Sequence, residues 1–296
     1  MKVGFLIASV EQGFVYAVMA LGVYLTFRIL DFPDLTVDGS FPLGAAIAAK
    51  MIVNGSSPLI STFMPLIFGA LAGIITGLLH TKGKITGLLA GILTMIALYS
   101  INLRIMDKPN IPLLREETII TMVSGLGLPK WLPSLALFVV FALIIKLFLD
   151  WFLFTEIGLA IRATGDNPHM IRSLGANTDN MKILGLAISN ALVAFSGGLV
   201  AQYQGFADVG MGIGMIIAGL AAVIIGEVVF GAGGIKRATI AVVGGSILYR
   251  LAIAAALLSG LRPSDLKLIT ALLVVFALST PRVKALLSQN KTAVDG

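Results

Sequence analysis

The chain has 296 residues, of which 57% are hydrophobic and only 12% are charged, and its formal net charge is +6 at pH 7. Soluble domains carry about 25% charged residues, so this composition excludes a soluble domain and indicates a protein that crosses a membrane several times. The positive charge is interpreted as membrane topology rather than nucleic-acid binding, because basic residues of membrane proteins collect in cytoplasmic loops. The absence of cysteine excludes disulfides, thiol nucleophiles and thiolate metal sites.

Nine apolar stretches are candidates to span the lipid bilayer, since a spanning helix needs about 20 residues. They cover residues 4–27, 39–53, 58–79, 85–103, 133–154, 183–205, 212–230, 238–258 and 266–280. The second and the ninth are short, so either could be tilted, broken or re-entrant. The sequence therefore predicts an all-α polytopic membrane protein with about eight or nine transmembrane helices. We expect a single transmembrane domain over residues 1–296.

The first apolar stretch carries two polar residues, Glu11 and Gln12. An ionisable group inside a membrane span costs a few kcal/mol, so both side chains are expected to face protein or water rather than lipid. Glu11 and Gln12 are therefore candidates for a solute pathway. The alternative is that Glu11 lies close enough to the outer surface for its carboxylate to reach the interface.

The segment from Asp31 to Ser40 places three acids, a proline and a glycine between two apolar stretches. Interrupted backbone at membrane depth is tolerated only where it is buried in protein or lines a cavity. The alternative is a plain turn at the membrane surface with solvated acids. Further on, Gly69, Gly73 and Gly77 form a stripe of small residues that predicts close packing against another helix.

A polar segment, residues 156–182, lies roughly midway along the chain and predicts a short helix between two breaks. Asn167 is a good N-cap and Pro168 suits the first helical position, while Gly175 supplies a left-handed stop. The helix from His169 to Leu174 is too short to persist alone, so it must dock against something. Met170, Ile171 and Leu174 fall on one side of it. An ordinary inter-helix loop with good caps is the alternative.

The pattern Gly158-x-x-x-Arg162-Ala163-x-Gly165-x-Asn167, followed by Arg172 and Gly175, resembles a loop of known transport proteins. It is similar to the cytoplasmic loop of ATP-binding-cassette (ABC) importer permeases of the branched-chain amino acid and ribose type. The resemblance implies a type II-like importer permease whose coupling helix sits in a cleft of a separate ATPase subunit. The residues implied in coupling to that ATPase are Gly158, Arg162, Ala163, Gly165, Asn167, Met170, Ile171, Arg172, Leu174 and Gly175.

Two further stretches carry the resemblance. Asp34-Leu-Thr-Val-Asp-Gly-Ser40 is similar to the family's Asp-Leu-Ser-Val-Gly-Ser element, with Asp38 as an insertion. It implies a half-helix junction near the translocation path, with Asp34, Gly39 and Ser40 as path candidates. An Ala-Ala-Val-x-x-Gly helix that begins at Ala221 and runs into a glycine-rich turn is the other stretch. Asp208 with its following glycines also echoes Asp34 and Gly39, as expected of duplicated halves.

Polar residues in the later stretches have two interpretations. Asn190 and Gln202 lie among small residues in the stretch 183–205, and such groups usually join helices by hydrogen bonds. Either could instead contact solute, so both are path candidates. Glu227 is expected to pair with Lys236 or Arg237, or to contact the ATPase.

Placing the 156–182 loop in the cytoplasm fixes the topology by alternation. The inner segments then hold eleven basic residues, namely Arg28, Lys82, Lys84, Arg162, Arg172, Lys182, Lys236, Arg237, Arg282, Lys284 and Lys291. The outer segments hold seven, namely Lys2, Arg104, Lys108, Arg115, Lys130, Arg262 and Lys267. This excess favours an outer N-terminus and a cytoplasmic C-terminus. The loop 104–132 is then external and fits either a surface that receives a substrate-binding protein or a solvated loop.

We find no nucleophile–base pair and no cluster of metal ligands in the sequence, so the chain is not expected to be an enzyme. The resemblance implies a dimeric permease in the cell membrane, driven by ATPase subunits that bind ATP and magnesium. A binding protein outside would deliver the solute, and no nucleic acid is involved. A path with few charges suits an amino acid, aromatic or branched-chain. The alternatives are a nucleoside or sugar permease and a self-contained secondary transporter or channel.

Overall fold

A computed structural model describes residues 2–124, 132–231 and 233–260, with positions 268, 270–272 and 275. The helices are α1 (Lys2–Tyr24), α2 (Val37–Val53), α3 (Pro58–Thr81), α4 (Gly87–Met106), α5 (Ile119–Ser124), α6 (Leu132–Leu153), α7 (Glu156–Asp166), α8 (Pro168–Ser173), α9 (Thr178–Gln204), α10 (Met215–Phe230) and α11 (Ile235–Leu258). A π-helical turn, Leu25–Ile29, extends α1. Two short strands, β1 (Asn110–Pro112) and β2 (Phe206–Asp208), complete the described elements.

Six helical segments in the described part of the chain are long and apolar enough to cross a membrane. They are Gly4–Ile29, Pro58–Thr81, Gly87–Met106, Leu132–Leu153, Thr178–Gln204 and Ile235–Leu258. Helices α2 and α10 are shorter, with 17 and 16 residues, and each follows a non-helical segment. They coincide with the predicted stretches 39–53 and 212–230. The stretch 266–280 lies mostly outside the described residues, so the total of eight or nine spans stays a prediction.

Helix α9 is the centre of the bundle and packs against α1, α2 and α3. Glycines let the backbones approach, because a Cβ on Gly44 of α2 would overlap the carbonyl oxygen of Ala194. The predicted glycine stripe of α3 faces the same helix, where a Cβ on Gly73 would overlap the carbonyl oxygen of Leu186. This close contact confirms the packing role that the sequence predicted for the stripe.

The bundle has two ends, which we name by the elements they carry. The α7–α8 end holds residues 156–173 and the π-helical turn, and the ribbon end holds the antiparallel pair β1–β2, in which Ile111 lies opposite Ala207. The ribbon joins the predicted loop 104–132 to the segment after α9. Three-residue strands have too little periodicity to be recognised, so the prediction of helices alone missed it. At this end Lys50 pairs with Asp107 and holds the pKa of that exposed carboxyl below its ordinary value.

Replacing Gly73 with alanine is expected to destabilise the bundle, because the added methyl group would push α3 away from α9. Overpacking of this kind costs about 1–3 kcal/mol. Gly4→Ala is the matched control, since a Cβ at Gly4 meets no atom within 4 Å. The measurement is the apparent melting temperature of the detergent-solubilised protein. Equal melting temperatures for the two variants would contradict the described contact.

Candidate coupling surface and buried polar network

The α7–α8 segment has the local structure that the sequence predicted. The Asn167 side-chain oxygen accepts a hydrogen bond from the Met170 amide at 3.0 Å, and Pro168 occupies the first turn of α8. Gly175 has a φ of +85°, a left-handed conformation that suits glycine. Helix α8 begins and ends one residue earlier than the predicted His169–Leu174, with Leu174 as its C-cap. The predicted capped helix is therefore confirmed, whereas its contact with a partner stays a prediction.

Helix α8 presents apolar side chains at the surface. None of its residues is buried. Met170 is 51% exposed and Leu174 is 72% exposed, and Ile171 between them is half-buried. Exposed apolar groups on one side of a short capped helix form a surface that suits a groove on another protein. We name Met170, Ile171 and Leu174 the α8 apolar surface.

Other residues of the predicted coupling set hold the loop to its own chain. A Cβ on Gly158 would overlap the carbonyl oxygen of Phe152, and one on Gly165 would overlap that of Ile29. Helix α7 is therefore in close contact with the end of α6 and with the π-helical turn. The Arg172 guanidinium turns back to the start of α9, where it donates to Thr178 Oγ1 at 2.6 Å and to Asp179 Oδ1 at 3.4 Å.

A cavity of about 600 Å³ opens beside the contact between α7 and the π-helical turn, and Arg162, Ala163 and Asp166 line one side of it. Arg28 lines the other side and pairs with Glu227, with 2.9 Å between Nε and Oε1. The expected pairing of Glu227 with Lys236 or Arg237 was wrong. Sequence proximity suggested those partners, whereas the fold brings together two residues that lie 199 positions apart.

Three of the path candidates meet in a buried network. Asn190 Nδ2 donates to Asp34 Oδ2 at 2.7 Å, and Ser40 Oγ donates to Asn190 Oδ1 at 2.7 Å. The Thr36 amide donates to Asp34 Oδ1 at 2.9 Å. All of these side chains are at most 2% exposed. Their geometry is that of hydrogen bonding between α9 and the segment that leads into α2, which is the first of the two predicted interpretations for Asn190.

The remaining path candidates lie outside this network. Gly39 packs against Leu98 of α4, and its carbonyl oxygen accepts from Asn102 at 3.2 Å. Glu11 is buried and accepts from the Tyr203 hydroxyl at 2.9 Å. Gln202 lies near the ribbon end, where it donates to Thr62 Oγ1 at 2.9 Å and accepts from the Ile119 amide at 3.0 Å. Gln12 is half-buried on α1.

Asp38 has a position that the sequence analysis did not anticipate. Its carboxylate accepts hydrogen bonds from the Gly214 amide at 3.0 Å and the Ile216 amide at 2.8 Å, at the start of α10. A carboxylate is favourable there because the first amides of a helix lack partners and carry partial positive charge. In the sequence, Asp38 stood out only as an insertion relative to the family's Asp-Leu-Ser-Val-Gly-Ser element. That insertion gave no indication of a partner 176 residues away.

Comparison with known proteins identifies the family. A model of the family described as "Branched-chain amino acid transport system / permease component" matches residues 5–279. The chain belongs to this permease family. It is 45% identical over 275 residues to the tyrosine transport system permease protein of Clostridioides difficile, a match that covers 93% of this chain and 90% of that protein. It is also 26% identical to the ribose import permease protein RbsC of Escherichia coli K12, over 80% of this chain and 73% of that protein.

A solved structure has the same general fold. It is described as a metal-chelate type ABC transporter in an inward-facing conformation, with a TM-score of 0.52 and 14% identity over 96% of this chain and 86% of that one. The family membership and the apolar helices establish a multi-pass membrane permease of an ABC importer, not itself a catalytic enzyme. The family works in general with ATPase and binding-protein partners. Because one relative is named for tyrosine and another for ribose, the comparisons do not identify the transported solute.

Asn190→Leu is expected to destabilise the protein by about 1.5–3 kcal/mol, because it removes hydrogen bonds to a buried carboxylate. Asn180→Leu is the matched control, since Asn180 is exposed in the first turn of the same helix. Thermal unfolding followed by intrinsic fluorescence measures the effect. If Asn190→Leu melts at the same temperature as Asn180→Leu, the network contributes no stability and its structural role is refuted.

Proposed function

We propose that the chain is the membrane subunit of an ATP-driven importer and forms the translocation path for an amino acid, aromatic or branched-chain. The similarity to the tyrosine transport system permease protein over nearly the whole of both chains supports this solute class. The α8 apolar surface on a loop fixed to the bundle is the single observation that carries the coupling role. ATP and magnesium would be bound by the partner ATPase, and we assign no residue of this chain to binding them.

The two ends of the bundle would have different partners. We infer that the α7–α8 end faces the cytoplasm, so that the N-terminus lies outside. The predicted span 266–280 would then bring the C-terminus to the inside. The ATPase would then contact α8, and an extracellular binding protein would dock at the ribbon end, where charged side chains such as Lys50 and Asp107 are available. Two copies of the chain would enclose the path between them.

Movement of α8 can be transmitted to the membrane helices through the following contacts. Helix α7 packs on the π-helical turn at Gly165, and Arg28 of that turn pairs with Glu227 of α10. Arg172 joins α8 to the start of α9. Closure of the ATPase pair would therefore act on α1, α9 and α10 together. In this proposal ATP binding shifts the population between outward-open and inward-open arrangements, because each has different contacts with the ATPase.

A sugar is the second candidate solute, because ribose import permeases are also relatives of the chain. Uptake by vesicles that contain the permease, its ATPases and its binding protein distinguishes the two. We expect ATP-dependent uptake of radiolabelled L-tyrosine or L-leucine, and no uptake by the permease alone. Uptake of ribose but of neither amino acid would contradict the solute class, and gradient-driven uptake by the permease alone would contradict the importer mechanism.

Leu174→Asp is expected to abolish ATP-driven uptake, because it places a charge within the α8 apolar surface. Its matched control is Ser173→Asp, which adds the same charge on a neighbouring exposed residue outside that surface. Uptake and ATPase activity are measured in vesicles with equal amounts of inserted permease. Loss of uptake with Leu174→Asp alone supports the coupling role, and equal uptake by both variants contradicts it.

A further inference from the structure

A cavity of about 450 Å³ opens between the first turn of α2, the middle of α4 and the segment before α10. Its volume lies in the range of about 300–1,000 Å³ that is usual for small-molecule sites. Ile96, Tyr99 and Ile213 contribute exposed apolar and aromatic surface to its wall. Ser100 lies beside Tyr99 and is also exposed.

The charged group in the cavity wall is negative. Asp38 is the charged side chain among the described lining residues, which include no lysine, arginine or histidine. It is half-buried, and its two oxygens each accept one amide from the start of α10. A carboxylate oxygen can accept more than one hydrogen bond, so capacity remains for another donor. The wall therefore favours a cationic group over an anionic one.

Asn102 supplies a second, independent indication of a ligand. This residue lines the cavity and is fully buried. Its Nδ2 donates to the Gly39 carbonyl oxygen, which fixes the orientation of the amide. Its Oδ1 accepts no hydrogen bond from the described part of the protein. A buried acceptor without a partner is costly, so a donor that reaches it would be strongly favoured.

We propose that this cavity binds the translocated solute and recognises a primary ammonium group through Asp38 and the Asn102 side-chain oxygen. An ammonium group has three donors and no acceptor, so it matches a site made of acceptors. The Tyr99 and Ser100 hydroxyls are the donors for the carboxylate of the amino acid, and the apolar wall receives its aromatic or branched side chain. The proposal rests on the importer function proposed above and assigns the site that sets its solute class.

The absence of native cysteine allows a direct test with single-thiol variants. Ser100→Cys is introduced in the permease, which is assembled with its ATPases in lipid nanodiscs and exposed to a neutral, hydrophilic thiol reagent. Ile101→Cys is the matched control, since Ile101 is the next residue of α4, is 46% exposed and does not line the cavity. The probes are L-tyrosine, tyramine, which lacks the carboxylate, and 3-(4-hydroxyphenyl)propionate, which lacks the ammonium group.

We expect L-tyrosine and tyramine to slow modification of Ser100→Cys by about tenfold at a concentration ten times the dissociation constant, where about nine-tenths of the sites are filled. The deaminated acid should have no effect. The thiol reagent should modify Ile101→Cys at the same rate with each of the three probes. Equal protection by all three probes, or protection by none, would overturn the proposal. Failure of Ser100→Cys to react with the hydrophilic reagent would show that the cavity faces lipid and would also overturn it.

A second variant tests the contribution of Asn102. Asn102→Leu in the Ser100→Cys background should raise the tyramine concentration that gives half-protection by about tenfold or more, because a hydrogen bond to a charged group is lost. If the tyramine concentration for half-protection is unchanged, Asn102 does not bind the ammonium group and the proposed site is contradicted. If this variant does not assemble, the comparison of the three probes decides alone. ATP-driven uptake by the wild-type importer is measured in parallel, so uptake without protection refutes the site but leaves the proposed function intact.

Discussion

The structure depends on satisfying interrupted backbone inside a membrane. Residues 30–36 and 205–214 lead into the short helices α2 and α10. Unpaired amides at membrane depth cost several kcal/mol each, so such segments need internal partners. Asp34 accepts the Thr36 amide, and Asp208 accepts the Gly210 amide at 2.8 Å, the same two-residue spacing in both segments. Asp38 then accepts two amides at the start of α10 and so joins the two short helices.

This arrangement connects the two short helices to the rest of the bundle. Helices α2 and α10 begin next to each other and run toward opposite ends of the bundle, as expected of repeats with inverted direction. The buried network at Asn190 holds one of them to α9, and the Arg28–Glu227 pair holds the other to the π-helical turn. The π-helical turn also contacts α7 at Gly165. π-Helical turns are frequent at functional sites, and this one lies between the loop end and the membrane helices.

Local signals in the sequence predicted local structure well. Asn167, Pro168 and Gly175 each act on neighbouring backbone, so the short helix α8 could be located from their order alone. Glycines at helical spacing predicted the face of α3 that packs closely. The long-range pairs could not be predicted, because they require knowing which helices are neighbours. Glu227 was therefore assigned to nearby basic residues, and Asp38 to no partner at all.

The roles of residues in the loop 156–182 also divide in a way that sequence alone could not reveal. The motif contains residues that shape the loop and residues that face outward. The structure separates Gly158, Gly165 and Arg172, which contact their own chain, from Met170 and Leu174, which are exposed. In the proposed coupling role, α8 can be short because contacts with the bundle set its position.

The central claim is that α8 contacts a separate ATPase in the cytoplasm, and thiol labelling at His169 tests it most directly. His169 is exposed and the chain has no native cysteine, so His169→Cys gives a single accessible thiol on this chain. A membrane-impermeant maleimide should label it in inverted membrane vesicles but not in intact cells, and bound ATPase should slow the labelling. Labelling in intact cells, or labelling at the same rate with and without the ATPase, would contradict the account.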